Sequence, residues 1–392
     1  MQNKLSSSSA EEIASSIDIV WEILLRLPLI SLLQLKCVSK QWLTLISDQK
    51  FRESHSLHRH QHYPTSLIFS ECGQSHILSF TATAQTLRVF NLDFLDESKV
   101  TVIRSCNGLL LCRSTSAYVI SCTPKWSNAS AYFICNPITG DFTTFNLLSH
   151  PCWNKKIELY LVFDPSISPH CKVISVAPSE ELDSQFDWVF NVYSFKTSSW
   201  IRPGVFLSTP FELDAANGIY CNRGIHWCCT AEFSVYFDVD TQCVKNYPMP
   251  LSDLEWERRS IACFGESGGR LHLMLTISMQ THKYDLFEMK EDYSGWSLRH
   301  CVELNQVELP LTWNFFYIVR TAKAKEDKSM LVFIVGREAA ISYDPVDQTS
   351  RKLCEFEKGM RYTNTNTSFV LGGIFQYFES KALVETCTDA MH

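Results

Sequence analysis

Four histidines, His55, His58, His60 and His62, stand around Arg59. Imidazole is a frequent metal ligand, but no nearby carboxylate or thiol shares helical register with them, and the stretch reads as a solvated linker. Cys221, Cys228 and Cys229 invite the same question. Structural zinc takes cysteine pairs two to four residues apart, supplied twice, and no Cys-x-x-Cys occurs among the sixteen cysteines. Neighbouring side chains in a strand point to opposite faces, so Cys228 and Cys229 read as buried strand thiols, and so do Cys106 and Cys112. Asp183, Asp187, Asp253 and Glu255 are scattered, with nothing to pair them for acid–base work. No nucleophile elbow, His-Glu-x-x-His, P-loop or Gly-x-Gly-x-x-Gly occurs. The expectation is no catalytic residue, no metal and no cofactor.

Lys155-Lys156 and Arg258-Arg259 are the densest basic spots outside the histidines. They read as solvated loop faces, with a grip on an acidic segment as the alternative. Across 392 residues, 35 Lys and Arg face 42 Asp and Glu, a net charge of −7. A protein that lives on phosphate backbones carries the opposite balance, so nucleic acid is not an expected partner. Hydrophobic content of 45% and charged content of 20% mark an ordinary globular chain. Met1–Glu12 is Ser-rich and lacks the apolar run of a secretory signal. Reduced thiols in nucleus or cytoplasm are the expectation. Ile23–Leu35, the best apolar stretch, is broken by Arg26 and Pro28, so no membrane span is expected.

Two textures meet near residue 60. Ile19, Ile23, Leu24 and Leu27 recur on one helical face. Ser16 stands as N-cap and Asp18 in the first turn. Pro28 ends this helix near Leu27. Ser31 is placed to cap a second helix, in which Leu32, Leu35, Val38, Trp42, Leu45 and Ile46 step by three or four until Asp48. So short a segment cannot enclose a core alone, yet it carries more apolar surface than one packed face uses. It reads as a docking module, or as a helical cap on the β region.

After His62 short β-type runs alternate with turns, as in Gly108–Cys112, Ala131–Cys135, Leu159–Phe163 and Leu271–Leu275. The pattern repeats: Phe133–Phe142, Val192–Trp200, Val235–Val244, Phe287–Trp296 and Ile341–Thr349 each place a polar turn between apolar strands. Anchored on Thr139, Thr197, Thr241, Tyr293 and Thr349, the gaps are 58, 44, 52 and 56 residues. That period suits a blade of four antiparallel strands. The expected fold is a β-propeller of about six blades, with Trp200, Trp227 and Trp296 as blade core. A β-sandwich pair and an irregular solenoid are the alternatives.

The helical module resembles an F-box. Glu22-Ile-Leu, Arg26-Leu-Pro28, Ser31-Leu-Leu, Cys37-Val-Ser-Lys40 and the stretch from Trp42 to Phe51 match that family's order and spacing. Ser15-Ser16 replaces the Leu-Pro with which the family opens. The β region is similar to the F-box-associated propeller of plant F-box proteins, on Ser105–Cys112, Cys135–Gly140, Asn217-Gly-Ile-Tyr220 and Gly224-Ile-His-Trp227. The resemblance implies a small all-α F-box module at 16–56, a linker at 57–62, an all-β propeller at 63–385, a disordered stretch before residue 16 and a tail from 386. It implies a non-catalytic substrate receptor of an SCF ubiquitin ligase, bound to a Skp-type adaptor and through it to a cullin, with a protein substrate on the propeller. The implied adaptor face is Ile19, Val20, Ile23, Leu24, Pro28, Leu32, Leu35, Val38 and Trp42. A stand-alone propeller with a decayed F-box is the alternative, and a propeller enzyme a third.

Overall fold

The computed structural model describes residues 16–27, 29–58, 65–71, 74–79, 88–95, 100–114, 131–147, 157–179, 187–208, 214–277, 282–304, 315–320, 330–335, 339–356 and 372–378. Pro28, His60, His62, Lys155, Lys156 and Asp183 lie outside them, as do residues 1–15 and 386–392.

Among the described residues four helices come first: α1 (Ile17–Leu25), α2 (Leu29–Leu35), α3 (Lys40–Ser47) and α4 (Gln49–His58). Ser16 occupies the N-cap of α1 in extended conformation, without a side-chain capping bond. The single helix expected from Ser31 to Asp48 is in fact two. Ser39 breaks it, its hydroxyl accepting the Trp42 N–H at 3.1 Å and starting α3. Ser31 lies inside α2. Such a hydroxyl satisfies one of the free N–H groups of a helix start. Asp48 then caps α4 by accepting the Phe51 N–H at 3.2 Å.

The stretch around the first two histidines is therefore helix and not solvated linker. His55 is buried, its Nε2 3.0 Å from the Leu27 carbonyl, and its ring stacks on Phe51. Phe51 also meets Trp21 edge-on at 5.0 Å, so α4 closes the module's core.

The remaining strands form six antiparallel sheets among the described residues. The first holds β1 (Ser66–Glu71), β2 (Gln74–Ser79) and β3 (Arg88–Val89), and receives the last described strand, β25 (Gly372–Tyr377), beside β1. The second runs β4 (Val100–Cys106), β5 (Leu109–Ser114), β6 (Tyr132–Cys135) and β7 (Phe142–Phe145). The third runs β8 (Glu158–Val162), β9 (Lys172–Pro178), β10 (Asp187–Ser194) and β11 (Ser199–Ile201), with β12 (Phe206–Ser208) added on β10. The fourth holds β13 (Ile219–Cys221), β14 (Gly224–His226), β15 (Phe233–Asp238) and β16 (Cys243–Pro248). A single-turn helix, α5 (Asp253–Trp256), leads to β17 (Ser260–Ser267), β18 (Arg270–Thr276), β19 (Lys283–Met289) and β20 (Trp296–Glu303). The last sheet is β21 (Phe315–Arg320), β22 (Met330–Val335), β23 (Ala339–Asp344) and β24 (Thr349–Glu355).

Apolar cores join each sheet to the next. Ile68 and Tyr377 pack with Val102 and Leu110; Ile134 and Phe145 with Leu159 and Tyr193; Phe190 with Trp227 and Phe237; Tyr247 with Leu273 and Met289; Leu286 with Ile318 and Tyr343. Phe69 against Phe356, and the Gln376 amide donating to the Ile318 carbonyl at 3.1 Å, close the ring between the last sheet and the first. The result is a β-propeller. Tryptophans repeat one bond between blades: Trp200 Nε1 donates to the Asn146 carbonyl at 2.9 Å, and Trp296 Nε1 to the Pro248 carbonyl at 2.8 Å. In both cases strand four of one blade is tied to the end of strand four of the blade before.

The five repeat anchors all fall at the hairpin between strands three and four of a blade. Gly140, Ser198, Gln242 and Gln348 take positive φ at its far end. Tight turns join strands one and two at Asn107-Gly108, Asn222-Arg223 and Gly268-Gly269, both residues of each pair having positive φ. Such turns match the twist of a hairpin and favour Asn and Gly. Because the strands alternate in direction, all these hairpins lie at one end of the ring. The connections from strand two to three, and the crossovers to the next blade, lie at the other.

Candidate docking face and the propeller surface

In α1 the apolar residues divide between two sides. Val20, Leu24 and Leu25 turn inward and are buried with Leu32, Ile46 and Phe51, while Trp21, Leu27, Leu35, Trp42 and Leu45 pack partly against them. Ile19 and Ile23, one helical turn apart, stay exposed at 46% and 45%, and Val38 at 60%. Residues four apart share a helix face, so Ile19 and Ile23 form one outward stripe. Ile17 and Leu43 are exposed too, and their positions in the sequence did not mark them as part of the face.

Of the nine residues assigned to the adaptor face, the eight that are described are thus not one surface. Val20, Leu24 and Leu32 belong to the module's own core. Leu35 and Trp42 are half-buried at its edge, and Ile19, Ile23 and Val38 are open to solvent. A helix that is apolar nearly all round has two stripes, and periodicity does not say which faces in. The signal for a second, exposed surface was the surplus itself.

The module is anchored to the propeller. Arg52 of α4 donates to Asp141 Oδ2 at 2.6 Å, and the Thr139 hydroxyl donates to the same oxygen at 2.8 Å. Asp141 ends the Asn136–Asp141 hairpin, which Asn136 organises by accepting the Ile138 N–H on Oδ1 and the Gly140 N–H on its carbonyl, both at 2.9 Å. The chain enters the propeller nearby in topology, Thr65 donating its N–H to the Tyr377 carbonyl at 2.9 Å. The helical module therefore sits at the hairpin end of the ring.

The motif residues of the propeller prove to be packing devices. A Cβ on Gly218 would lie 2.5 Å from Tyr160 Oη and 2.6 Å from Trp227 Nε1. Only glycine lets its N–H reach the Tyr160 hydroxyl at 3.0 Å. A Cβ on Gly224 would lie 2.8 Å from the His226 ring and 2.8 Å from Tyr236. His226 is fully buried, stacked on Tyr236 and Tyr293 with Tyr247 edge-on. Burial lowers its pKa from 6.5 to about 4.

A histidine whose folded pKa lies below its unfolded one takes up its proton more readily when unfolded. Its burial thus destabilises the fold progressively as pH falls from 6.5 toward 4. The loss expected from His226 is on the order of 3 kcal/mol over that interval. Urea unfolding of His226→Phe should show a shallower decline with acid than the parent. An equal slope would assign the acid sensitivity to other groups.

Burial also raises the Cys106, Cys112, Cys221 and Cys228 thiols well above their ordinary range, which holds them neutral. Cys106 donates to the Phe163 carbonyl and Cys229 to the Phe233 carbonyl. Asp187 and Glu255 are far apart in topology, on β10 and in α5. No group of three or more metal-capable side chains occurs among the described residues. No described helix is long and apolar enough to cross a membrane.

The model of the F-box domain matches residues 16–54, and that of the F-box associated beta propeller domain matches residues 60–370. The chain belongs to the F-box proteins with an F-box-associated β-propeller. F-box protein At5g07610 of Arabidopsis thaliana is 27% identical over 97% of this chain and 94% of its own length. Another from the same plant, At5g65850, is 31% identical over 36% of this chain and 34% of its own. The oligogalacturonate lyase of Vibrio parahaemolyticus aligns with a TM-score of 0.41 and 9% identity over 76% of this chain and 77% of its own, a likeness that carries no functional argument. F-box proteins of this plant type are in general non-catalytic, and an F-box joined to such a propeller is the arrangement typical of SCF substrate receptors.

Proposed function

We propose that this chain is the substrate-recognition subunit of an SCF ubiquitin ligase. The F-box docks on a Skp-type adaptor, which holds the cullin, and the propeller carries a protein to be ubiquitinated. One observation carries the reading: the F-box closes its own core around Leu24, Leu32 and Phe51, and still leaves Ile19, Ile23, Val38 and Leu43 in solvent. Exposed apolar side chains gathered on one small module mark a protein-binding site. The chain's working place on this reading is the nucleus or cytoplasm.

The test is direct binding of the full chain to a purified Skp-type adaptor, measured by titration calorimetry. Micromolar or tighter binding is the expected result. No binding would mean that Ser15-Ser16, in place of the family's Leu-Pro, has cost the module its partner, and that the propeller acts alone.

A further inference from the structure

At the end of the ring away from the F-box, exposed apolar side chains stand on three neighbouring connections of the fourth and fifth blades. Phe233 begins β15 and is 42% exposed; Leu254 of α5 is 77% exposed; Ile277, just past β18, is 64% exposed. All three lie on connections of the same end: the link from strand two to strand three in each blade, and the crossover between them.

The patch is held stiffly. Trp256 of α5 is buried and donates Nε1 to the Ala231 carbonyl at 2.9 Å, and the Met249 N–H bonds to the Glu232 carbonyl at 2.8 Å. Glu255 closes a capping box, its Oε2 accepting the Ser252 N–H and hydroxyl, both at 2.9 Å. These bonds lower its pKa, so it stays charged.

The rim has a sign. Glu232, Glu255 and Glu257 are exposed around the patch. Of the two arginines there, Arg259 is committed to Asp285 across the blade, which leaves Arg258 against three carboxylates. Arg259 is therefore not open for a cationic grip, while Arg258 is exposed.

We propose that this patch binds a short protein segment carrying a large apolar side chain flanked by Lys or Arg. The inference rests on the propeller's being the recognition domain, and it names the face and the chemistry recognised. Leu254 is the anchor, being the most exposed of the three and mounted on a capped, buried-tryptophan-pinned turn. The glutamates select basic flanks and speed encounter.

The test is selection of peptides from a random display library on the full-length chain, followed by fluorescence anisotropy with the enriched peptides. They should share an apolar residue beside basic ones. Leu254→Glu should weaken them about tenfold or more, as loss of a central anchor does. Glu232→Lys with Glu257→Lys should weaken them several-fold and flatten their salt dependence. Thermal melts should match the parent for both variants, since all three side chains face solvent. An empty selection, acidic enriched sequences, or peptides indifferent to Leu254→Glu would each overturn the proposal. Adaptor binding, measured on the same preparations, separates the two readings. Adaptor bound with no peptide selected removes the patch alone. Peptide bound with no adaptor removes the ligase assignment alone.

Discussion

Ile19→Asp combined with Ile23→Asp is expected to abolish adaptor binding and leave the fold untouched. Both side chains are about half exposed on one stripe of α1, so a carboxylate there stays hydrated and costs the folded chain little. Against an adaptor, two charges would be driven into an apolar contact without partners. Central apolar anchors of an interface are commonly worth about 2 kcal/mol or more each, so the pair should raise Kd by two to three orders of magnitude, or about 3–4 kcal/mol. Leu24→Asp is the contrasting variant. Leu24 is fully buried among Val20, Leu32 and Phe51, and an unpaired carboxylate there should melt the helical module itself. Calorimetry against the adaptor and circular dichroism on each variant distinguish the two. If the double variant binds as the parent does, the adaptor uses a different surface. If Leu24→Asp keeps its helix signal, the burial described for Leu24 is wrong.

Glu288→Ala should lower the stability of the propeller. Glu288 is buried on β19, with His272 Nε2 at 3.2 Å from one carboxylate oxygen and Arg299 at 2.6 Å from the other. Arg270 lies 3.9 Å away. On β18 and β19 His272 pairs with Glu288 and Met274 with Leu286, and the latter pair packs into the junction with the last blade. Removing Glu288 takes the carboxylate from the fully buried His272 ring and from Arg299 and Arg270, whose side chains are 50% and 26% exposed, at about 2–3 kcal/mol. The midpoint of urea unfolding should fall accordingly, whereas Lys283→Ala, which ends an exposed pair with Glu303, should cost well under 1 kcal/mol. A loss for Glu288→Ala no larger than that for Lys283→Ala would show the cluster to be solvated.

The propeller was legible because its repeat is written in turn chemistry. Thr139, Thr197, Thr241, Tyr293 and Thr349 mark equivalent hairpins, and Asn107-Gly108 and Asn136–Gly140 specify backbone shapes that few other residues allow. The F-box was legible by family pattern, but its detail was not. Ser39 and Ser31 are equally good caps in sequence, and only packing shows that the chain turns at Ser39. His55 reads as polar and is buried, because the Leu27 carbonyl lies within reach of its ring nitrogen. The exposed stripe of Ile19 and Ile23 was pooled with the core because α1 is apolar on both sides. The union of β1 with β25 had no local signal, since it pairs Ser66–Glu71 with the distant Gly372–Tyr377.

That union has a consequence for how the protein is made. A ribosome releases β1 ahead of the other strands of the ring, and its neighbour β25 only after all the other described strands. Throughout that time the ring stays open, with one edge of β1 offering unpaired backbone groups to any passing strand. Contacts of such sequence separation slow folding. Until β25 arrives, that edge of β1 stays open to pairing with another strand. A premature stop anywhere before Gly372 would yield blades that fold locally around a propeller that cannot shut, a natural substrate for the cell's own quality control.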